Sequence, residues 1–444
     1  MAGRLLFVVL LLGTFFQQLY NTVDAVVVGN FISTEALAAV GGSTSVLINL
    51  LVGLFVGIAA GGSVIASQFY GAGAVEETRR TMHTAIAFSL AGGIVLMILG
   101  YVFTPIALRI TGTPEDVMSD AISYMRIYFL GIIGNLIYNM GSGLLRALGD
   151  SKSPLYFLVV CTITNLVLDL LFVIVFHWGV AGVAIATILA QALSACLVLL
   201  KLFRSDIQYK LSFREIRFHG ATLRKIVQIG FPNGLQSVMY SVSNIIVQAS
   251  INSFGTKTVA AWSAYSKADG LFWMIINAFG IAATTFSGQN FGAQKYDRVR
   301  KSVRVGLGLS FMSSVSLSFI LYSGGQFVFR LFVQDDSVIS IGLTILHTIV
   351  PFYFTYIFIE ILAGAIRGTG DSLIPTIITS LGICGIRVIW CAFIVPQWHN
   401  IQIVALSYPV AWIITSLAFI IYYRCGSWMK RQIRKSGFTN VEQT

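Results

Sequence analysis

"LLRALGDSKSP" at residues 144–154 and "AIRGTGDSLIP" at residues 365–375 are two versions of one segment. Arg146/Arg367, Gly149/Gly370, Asp150/Asp371, Ser151/Ser372 and Pro154/Pro375 coincide at a constant separation of 221. The same offset relates "QFYGA" (68–72) to "QNFGA" (289–293), and Arg109 to Arg330. One register held across half the chain marks an internal duplication, and the fold follows from what each copy contains.

Around these segments the chain is strongly apolar. Of 444 residues 56% are hydrophobic and 11% charged, and the mean hydropathy is +0.82, which excludes an ordinary soluble domain. Runs long enough to cross a bilayer recur throughout. Spans are expected near 4–32, 37–70, 81–108, 118–145, 154–177 and 181–203, and again near 224–253, 258–290, 302–329, 338–367, 373–395 and 401–424. The first run has no small-residue cleavage site after a short core, so it reads as a retained span. The expected fold is an all-α membrane protein with twelve transmembrane helices. Each copy has six spans, an even number, so the repeat is parallel about an axis along the membrane normal, with a central cavity between two six-helix bundles. The expected division is an N-terminal bundle (1–203), a linker (204–223), a C-terminal bundle (224–424) and a tail (425–444).

Charge sets the orientation. The net charge of +11 would point to nucleic acid in a soluble protein, but here the basic residues sit in loops. Outer loops hold Arg109, Lys257 and Arg330, and the spans hold Arg126, Lys267 and Arg387, leaving 23 of 29 on one side. By the positive-inside rule both termini, the linker and the tail are cytoplasmic in a multi-pass protein of the cell membrane. The linker "RSDIQYKLSFREIRFHGATL" mixes basic and apolar residues and reads as an amphipathic surface helix. The five cysteines lie in or beside apolar runs without metal spacing and read as packing residues. The duplicated Gly-Asp-Ser segments read as tight turns steadied by Arg and Asp, with a gating contact as the functional alternative. P-loop, G-x-S-x-G and H-E-x-x-H motifs are missing, so an enzyme is a remote reading.

Of the 18 acidic residues, Asp24, Asp169, Asp269 and Glu360 fall within spans, and the rest lie in loops or at span ends. Such groups cost roughly 2.5–3.5 kcal/mol on insertion scales and face a cavity or a partner. Asp24 lies roughly 12 Å, and Asp169 roughly 10 Å, from the outer end of its span at 1.5 Å per residue. Gln17, Tyr20, Asn21 and Asp24 share one helical face; Thr162, Asn165 and Asp169 share another. Two polar stripes at one depth point to a hydrated pocket that exchanges protons or, with Asn165 and carbonyls, holds Na⁺. Arg126 is the one basic candidate partner there, with His347 as its repeat equivalent. In the second half Asp24 aligns, at a separation of 220, with Asn244, and Lys267 with Glu360 or Asp269 with Arg387 are alternatives to direct substrate contact. Tyr265, Tyr240, Met239 and Gln236 offer surface suited to bulky organic cations, and Asn139 joins them as a cavity candidate.

Taken as a set, "QQLYNTVDAVVVGN", "QFYGAG", "RALGDSKSP", "GFPNGLQS" and "IRGTGDSLIP" resemble the multidrug and toxic compound extrusion (MATE) family along nearly the whole chain. The resemblance implies alternating access and export of amphipathic, often cationic compounds driven by inward H⁺ or Na⁺, without a cofactor and as a monomer. Its expected partners are small organic substrates and the lipid bilayer, with no nucleic acid. In DinF-like and archaeal members an Asp on the first helix and an Asn-x-x-x-Asp pair on the fifth form the cation site, here Asp24 with Asn165 and Asp169; Thr187 matches a Thr that joins them in some members. The NorM-like branch relies on a carboxylate in the seventh helix, and span 7 here has none, which places the resemblance on the DinF-like or MepA-like side. Span 1 also lacks a proline. A lipid-linked oligosaccharide flippase of related architecture is the alternative; it would need a cavity dominated by cations.

Overall fold

The computed structural model describes residues 12–13, 16, 27–28, 31–205 and 207–436, with backbone alone at 34, 35, 37, 38, 43 and 207. Most of the first expected span lies outside them. The described residues are helical, without strands, and form two compact units, Met1–Val238 and Met239–Thr444.

The first unit holds α1 (Thr34–Gly41), α2 (Ser43–Gly71), α3 (Val75–Ile110), α4 (Glu115–Leu130), α5 (Ile132–Ala147), α6 (Lys152–Leu170) and α7 (Gly179–Phe203). The boundary between units falls inside α8 (Gly220–Asn252). The second unit continues with α9 (Thr256–Gly292), α10 (Tyr296–Arg330), α11 (Asp336–Ile349), α12 (Tyr353–Gly368), α13 (Leu373–Thr379), α14 (Ile386–Ile389), α15 (Ile401–Cys425) and α16 (Trp428–Ser436). Among the described residues nine helices are long and apolar enough to cross a membrane, ten if the α4–α5 pair, bent by 49°, counts as one span. Their outward faces are apolar: on α3, Ile94, Ile98, Val102 and Ile106 repeat every four residues and are exposed, as a lipid-facing stripe requires.

Contact geometry repeats as the sequence does. Arg126 donates to the Tyr101 carbonyl at 3.4 Å and lies 4.9 Å over that ring. His347, 221 residues later, contacts the Tyr322 carbonyl at 3.3 Å with its ring 4.4 Å from that of Tyr322. The Ser63 hydroxyl donates to the Gly143 carbonyl at 3.0 Å, and Thr284 stands in the same place against Gly364, where a Cβ would meet its Oγ1 at 3.2 Å. The fourth span breaks at equivalent positions, at Gly131 in the first unit and at the 3₁₀ turn Val350–Phe352 in the second. Glycine is required at 131 because Ile188 fills the space a side chain would take, 2.3 Å from an added Cβ; in the second copy Pro351 removes a helix donor.

Two expectations change. The linker is no amphipathic helix: it makes two 3₁₀ turns, Ile207–Tyr209 and Phe213–Glu215. Arg79 Nε on α3 grips Glu215 at 2.9 Å, and His83 Nε2 accepts from the Ser212 amide at 2.9 Å. The helices also outrun their apolar stretches: α3 begins at Val75 and α10 at Tyr296, ahead of the expected 81 and 302. Hydropathy marks the bilayer, but a helix continues into water as long as its own hydrogen bonds do.

Both Gly-Asp-Ser segments are helix-ending turns. Gly149 and Gly370 adopt φ +90° and +98°, the left-handed region that suits glycine after a helix. Asp150 accepts from the Ser153 amide at 3.0 Å and its hydroxyl at 2.6 Å, and Lys201 stands 3.5 Å away. Burial alone raises this carboxyl; the Ser153 hydrogen bonds and Lys201 outweigh it and hold the group below the usual carboxylate range. A depressed carboxylate stabilises the fold above its unfolded pKa and loses that contribution as pH falls through its folded value. Thermal unfolding of the solubilised protein should therefore decline in acid, below about pH 4, and Asp150→Asn should lower the melting temperature at neutral pH while flattening that decline. An unchanged acid slope in the variant would remove Asp150 from the account.

Candidate functional site

The sequence of α6 places Thr162, Asn165 and Asp169 at helical spacing, and all three are buried, with Asn165 and Asp169 at 0% exposure. Thr162 Oγ1 donates to the Leu158 carbonyl at 2.9 Å and approaches the Phe16 carbonyl of the first span at 3.4 Å. Thr162, at the start of the stripe, therefore lies beside Phe16. Asn165 is wholly enclosed, yet neither its amide oxygen nor its nitrogen has a hydrogen-bond partner among the described residues. Such a group in a native interior calls for an explanation. Immediately after Asp169 the helix widens into a π segment, Leu171–Val175, the local irregularity often found beside functional residues. Thr187 on α7 is buried, and its hydroxyl donates to the Val183 carbonyl at 2.9 Å. Gln17, Tyr20, Asn21 and Asp24 lie outside the described residues. Arg126, the expected basic partner of this region, is engaged by Tyr101.

The second unit builds a different polar centre. Asp269 on α9 accepts three hydrogen bonds from uncharged donors: Tyr353 Oη at 2.6 Å, Trp273 Nε1 at 2.7 Å and Tyr265 Oη at 3.1 Å. Tyr265, Asp269 and Trp273 follow one another every four residues, so one face of α9 presents all three. Tyr353 stacks on Phe272 at 4.0 Å, and Trp412 lies 6.1 Å from Tyr353. The result is a carboxylate in an aromatic cage. Arg387 is 3% exposed; its Nη2 donates to Ser243 Oγ at 2.9 Å and Asn244 Oδ1 at 3.0 Å, and its guanidinium lies 4.9 Å over the Tyr408 ring.

Neither ion pair weighed from the sequence forms among the described residues. Asp269 is claimed by hydroxyls and an indole, Arg387 by α8 and Tyr408, and Lys267 is exposed. Glu360 lies instead against the α9 backbone, where a Cβ at Gly280 would fall 2.0 Å from its Oε1. Asn139 turns back along α5 to donate to the Asn135 carbonyl at 2.9 Å and side chain at 3.0 Å. Met239 on α8 is 37% exposed. Tyr265 and Asp269 are thus the expected cavity residues that the fold brings into contact; Tyr353, Trp273 and Trp412 were missed. Trp273 was legible at the i+4 position from Asp269, while Tyr353 and Trp412 come from distant helices.

Comparison with known proteins agrees with this architecture. A family model described as MatE matches residues 10–171 and 232–393, one stretch of equal length in each half. The probable multidrug resistance protein YoeA of Bacillus subtilis is 29% identical over 440 residues, covering 97% of this chain and 94% of its own. The probable multidrug resistance protein NorM of Thermotoga maritima is 24% identical over 430 residues, covering 94% and 90%. Among solved structures, a MOP superfamily transporter from Pyrococcus furiosus, described as having a binding pocket of reverse polarity, superposes with a TM-score of 0.90 at 21% identity over 97% of this chain and 96% of that one. A MATE protein in a bent conformation superposes with a TM-score of 0.89 at 21% identity over 98% and 96%. The fold is the twelve-helix fold of these transporters.

Proposed function

Because the chain belongs to the MatE family, we propose that it is a secondary antiporter exporting amphipathic, cationic organic compounds in exchange for inward H⁺ or Na⁺. It sits in the cell membrane as a monomer with two six-helix bundles, both termini and the linker cytoplasmic, and no cofactor. The observation that carries the coupling reading is the wholly buried Asn165–Asp169 pair, with an Asn165 amide that no described residue satisfies.

In this reading the coupling ion is held by Asp169 and, from the first span, Asp24; Asn165 Oδ1 and Thr187 Oγ1 add neutral oxygens. A proton on the carboxylates would suffice, and Na⁺ would use the same oxygens as ligands. Span 7 has no carboxylate to take over that task, which supports the DinF-like or MepA-like branch. Substrate is met by Asp269 and its rings, since a desolvated cation over aromatic faces gains the quadrupole attraction and the carboxylate charge together. Gln17, Tyr20, Asn21, Asn139, Met239, Lys267 and Glu360 complete the proposed substrate-cavity set. Linkage then requires each ligand to weaken the other: ion entry expels the organic cation, and substrate loading from inside releases the ion.

Transport of ethidium in proteoliposomes tests the proposal, with a pH gradient imposed in one set and a Na⁺ gradient in the other. Export driven by one gradient supports it and identifies the ion; export driven by neither rejects antiport.

A further inference from the structure

At the end of the second unit that carries the tail, a cavity of about 720 Å³ opens between α10, α12, α15 and α16. Its charged lining is of one sign: Arg300 and Arg304 from the start of α10, Arg424 from the end of α15, and Lys430 from α16, with no acidic side chain among the lining residues. The only ion pair any of them makes among the described residues is Arg300 Nη1 to Asp297 Oδ1 at 3.8 Å, on a fully exposed aspartate, a contact of little weight in water. Four positive charges are gathered with almost nothing to neutralise them. That arrangement is unfavourable unless an anion completes it.

The rest of the lining is apolar, with Leu307, Phe358, Leu362 and Ile420 on the span side of the basic groups. The lining is also held in place. α16 buries Trp428, Met429 and Gln432 and exposes Lys430, Arg434 and Lys435. The Trp428 indole donates to the Tyr423 carbonyl at 3.0 Å. Arg431 pairs with Asp371 of the second Gly-Asp-Ser turn, whose carboxylate also accepts from Tyr422 Oη at 3.0 Å. The second copy of the turn therefore spends its aspartate on fixing the tail helix, where the first spends it on Ser153.

We propose that this cavity is a binding site for an anionic phospholipid, its phosphate taken by Arg300, Arg304, Arg424 and Lys430 and an acyl chain laid along Leu307, Phe358, Leu362 and Ile420. Guanidinium groups match phosphate oxygens in pairs, and basic pockets between transmembrane helices at a membrane surface suit such headgroups. A soluble phosphate would use the basic residues alone and leave the apolar wall without purpose. The inference does not depend on what the protein transports.

The test uses the delipidated full-length protein. Binding of phosphatidylglycerol, phosphatidylcholine and inorganic phosphate is measured by native mass spectrometry and by the shift in melting temperature. Phosphatidylglycerol should bind in preference to phosphatidylcholine, and the Arg304→Ala/Arg424→Ala variant should lose about 30-fold in affinity for it, at roughly one surface-charge contribution per arginine. Lys301→Ala, an exposed cation that does not line the cavity, should leave it unchanged. Equal binding of phosphatidylcholine, or the whole effect from inorganic phosphate, would overturn the proposal on the wild-type protein alone. Full phosphatidylglycerol binding by the double variant would overturn it as well.

Discussion

Asp169→Asn should abolish ion-driven export while leaving the protein folded and inserted. The carboxylate sits on a face of α6 with no water-exposed surface, and its ionised form is costly to maintain at that depth. An amide of the same shape removes the charge that a proton or Na⁺ would neutralise without opening a cavity. Coupling free energies between sites commonly correspond to factors of about 5–150, and export under an imposed gradient should fall by at least that range. Passive binding of the organic cation should persist, because the charge proposed to meet it, Asp269 with its rings, belongs to the second unit. Asn165→Ala should have a smaller effect of the same kind, since it removes a neutral ligand only. Gradient-driven ethidium export in proteoliposomes, with substrate binding measured in parallel, reads both quantities. Normal ion dependence in Asp169→Asn would remove α6 from the coupling mechanism.

Asp269→Asn should weaken binding of a permanent organic cation such as tetraphenylphosphonium by about 10–100-fold, the range expected when an interaction with a charged group is lost. The three donors that face Asp269 are neutral, so an amide oxygen can still accept from most of them and the cage keeps its shape. What disappears is the charge. An uncharged substrate of similar size should therefore bind the variant nearly as before, whereas Tyr353→Phe, which leaves the charge in place, should cost a cation less than Asp269→Asn does. Equilibrium titrations of the two ligand classes separate the alternatives. Equal losses for charged and uncharged ligands would make Asp269 a structural group whose hydrogen bonds merely hold α9 and α12 together.

The span pattern and the duplication were legible because they rest on hydropathy and register, which survive in any linear reading. The 221-residue offset recurs in contacts that the sequence did not suggest, since Arg126 with Tyr101 and His347 with Tyr322 repeat it in three dimensions. The buried stripe Thr162, Asn165, Asp169 was legible for the same reason: it lies on one helix. Partners on other helices were not. Lys267 and Asp269 both read as intramembrane charges in the sequence, but two residues apart on a helix they point in opposed directions. Arg387 was expected at a carboxylate and found Ser243, Asn244 and an aromatic face. The linker misled because its basic and apolar alternation mimics an amphipathic helix, whereas Arg79 and His83 on α3 hold it in two short turns.

The π segment after Asp169 has a bearing on how this helix can change over generations. Its hydrogen bonds run five residues back, as from the Phe176 amide to the Leu171 carbonyl at 3.1 Å, so the turn contains one residue more than an α-helical turn would. Loss of a residue within Leu171–Val175 can be absorbed by closing that turn to an ordinary one. Loss of a residue between Lys152 and Asp169 has no such slack and would swing part of the buried stripe by about 100°. Length variation in this span is thus permitted C-terminal to Asp169 and forbidden N-terminal to it, and the second unit carries the same kind of slack at Ser380–Gly385 and Trp390–Ile394.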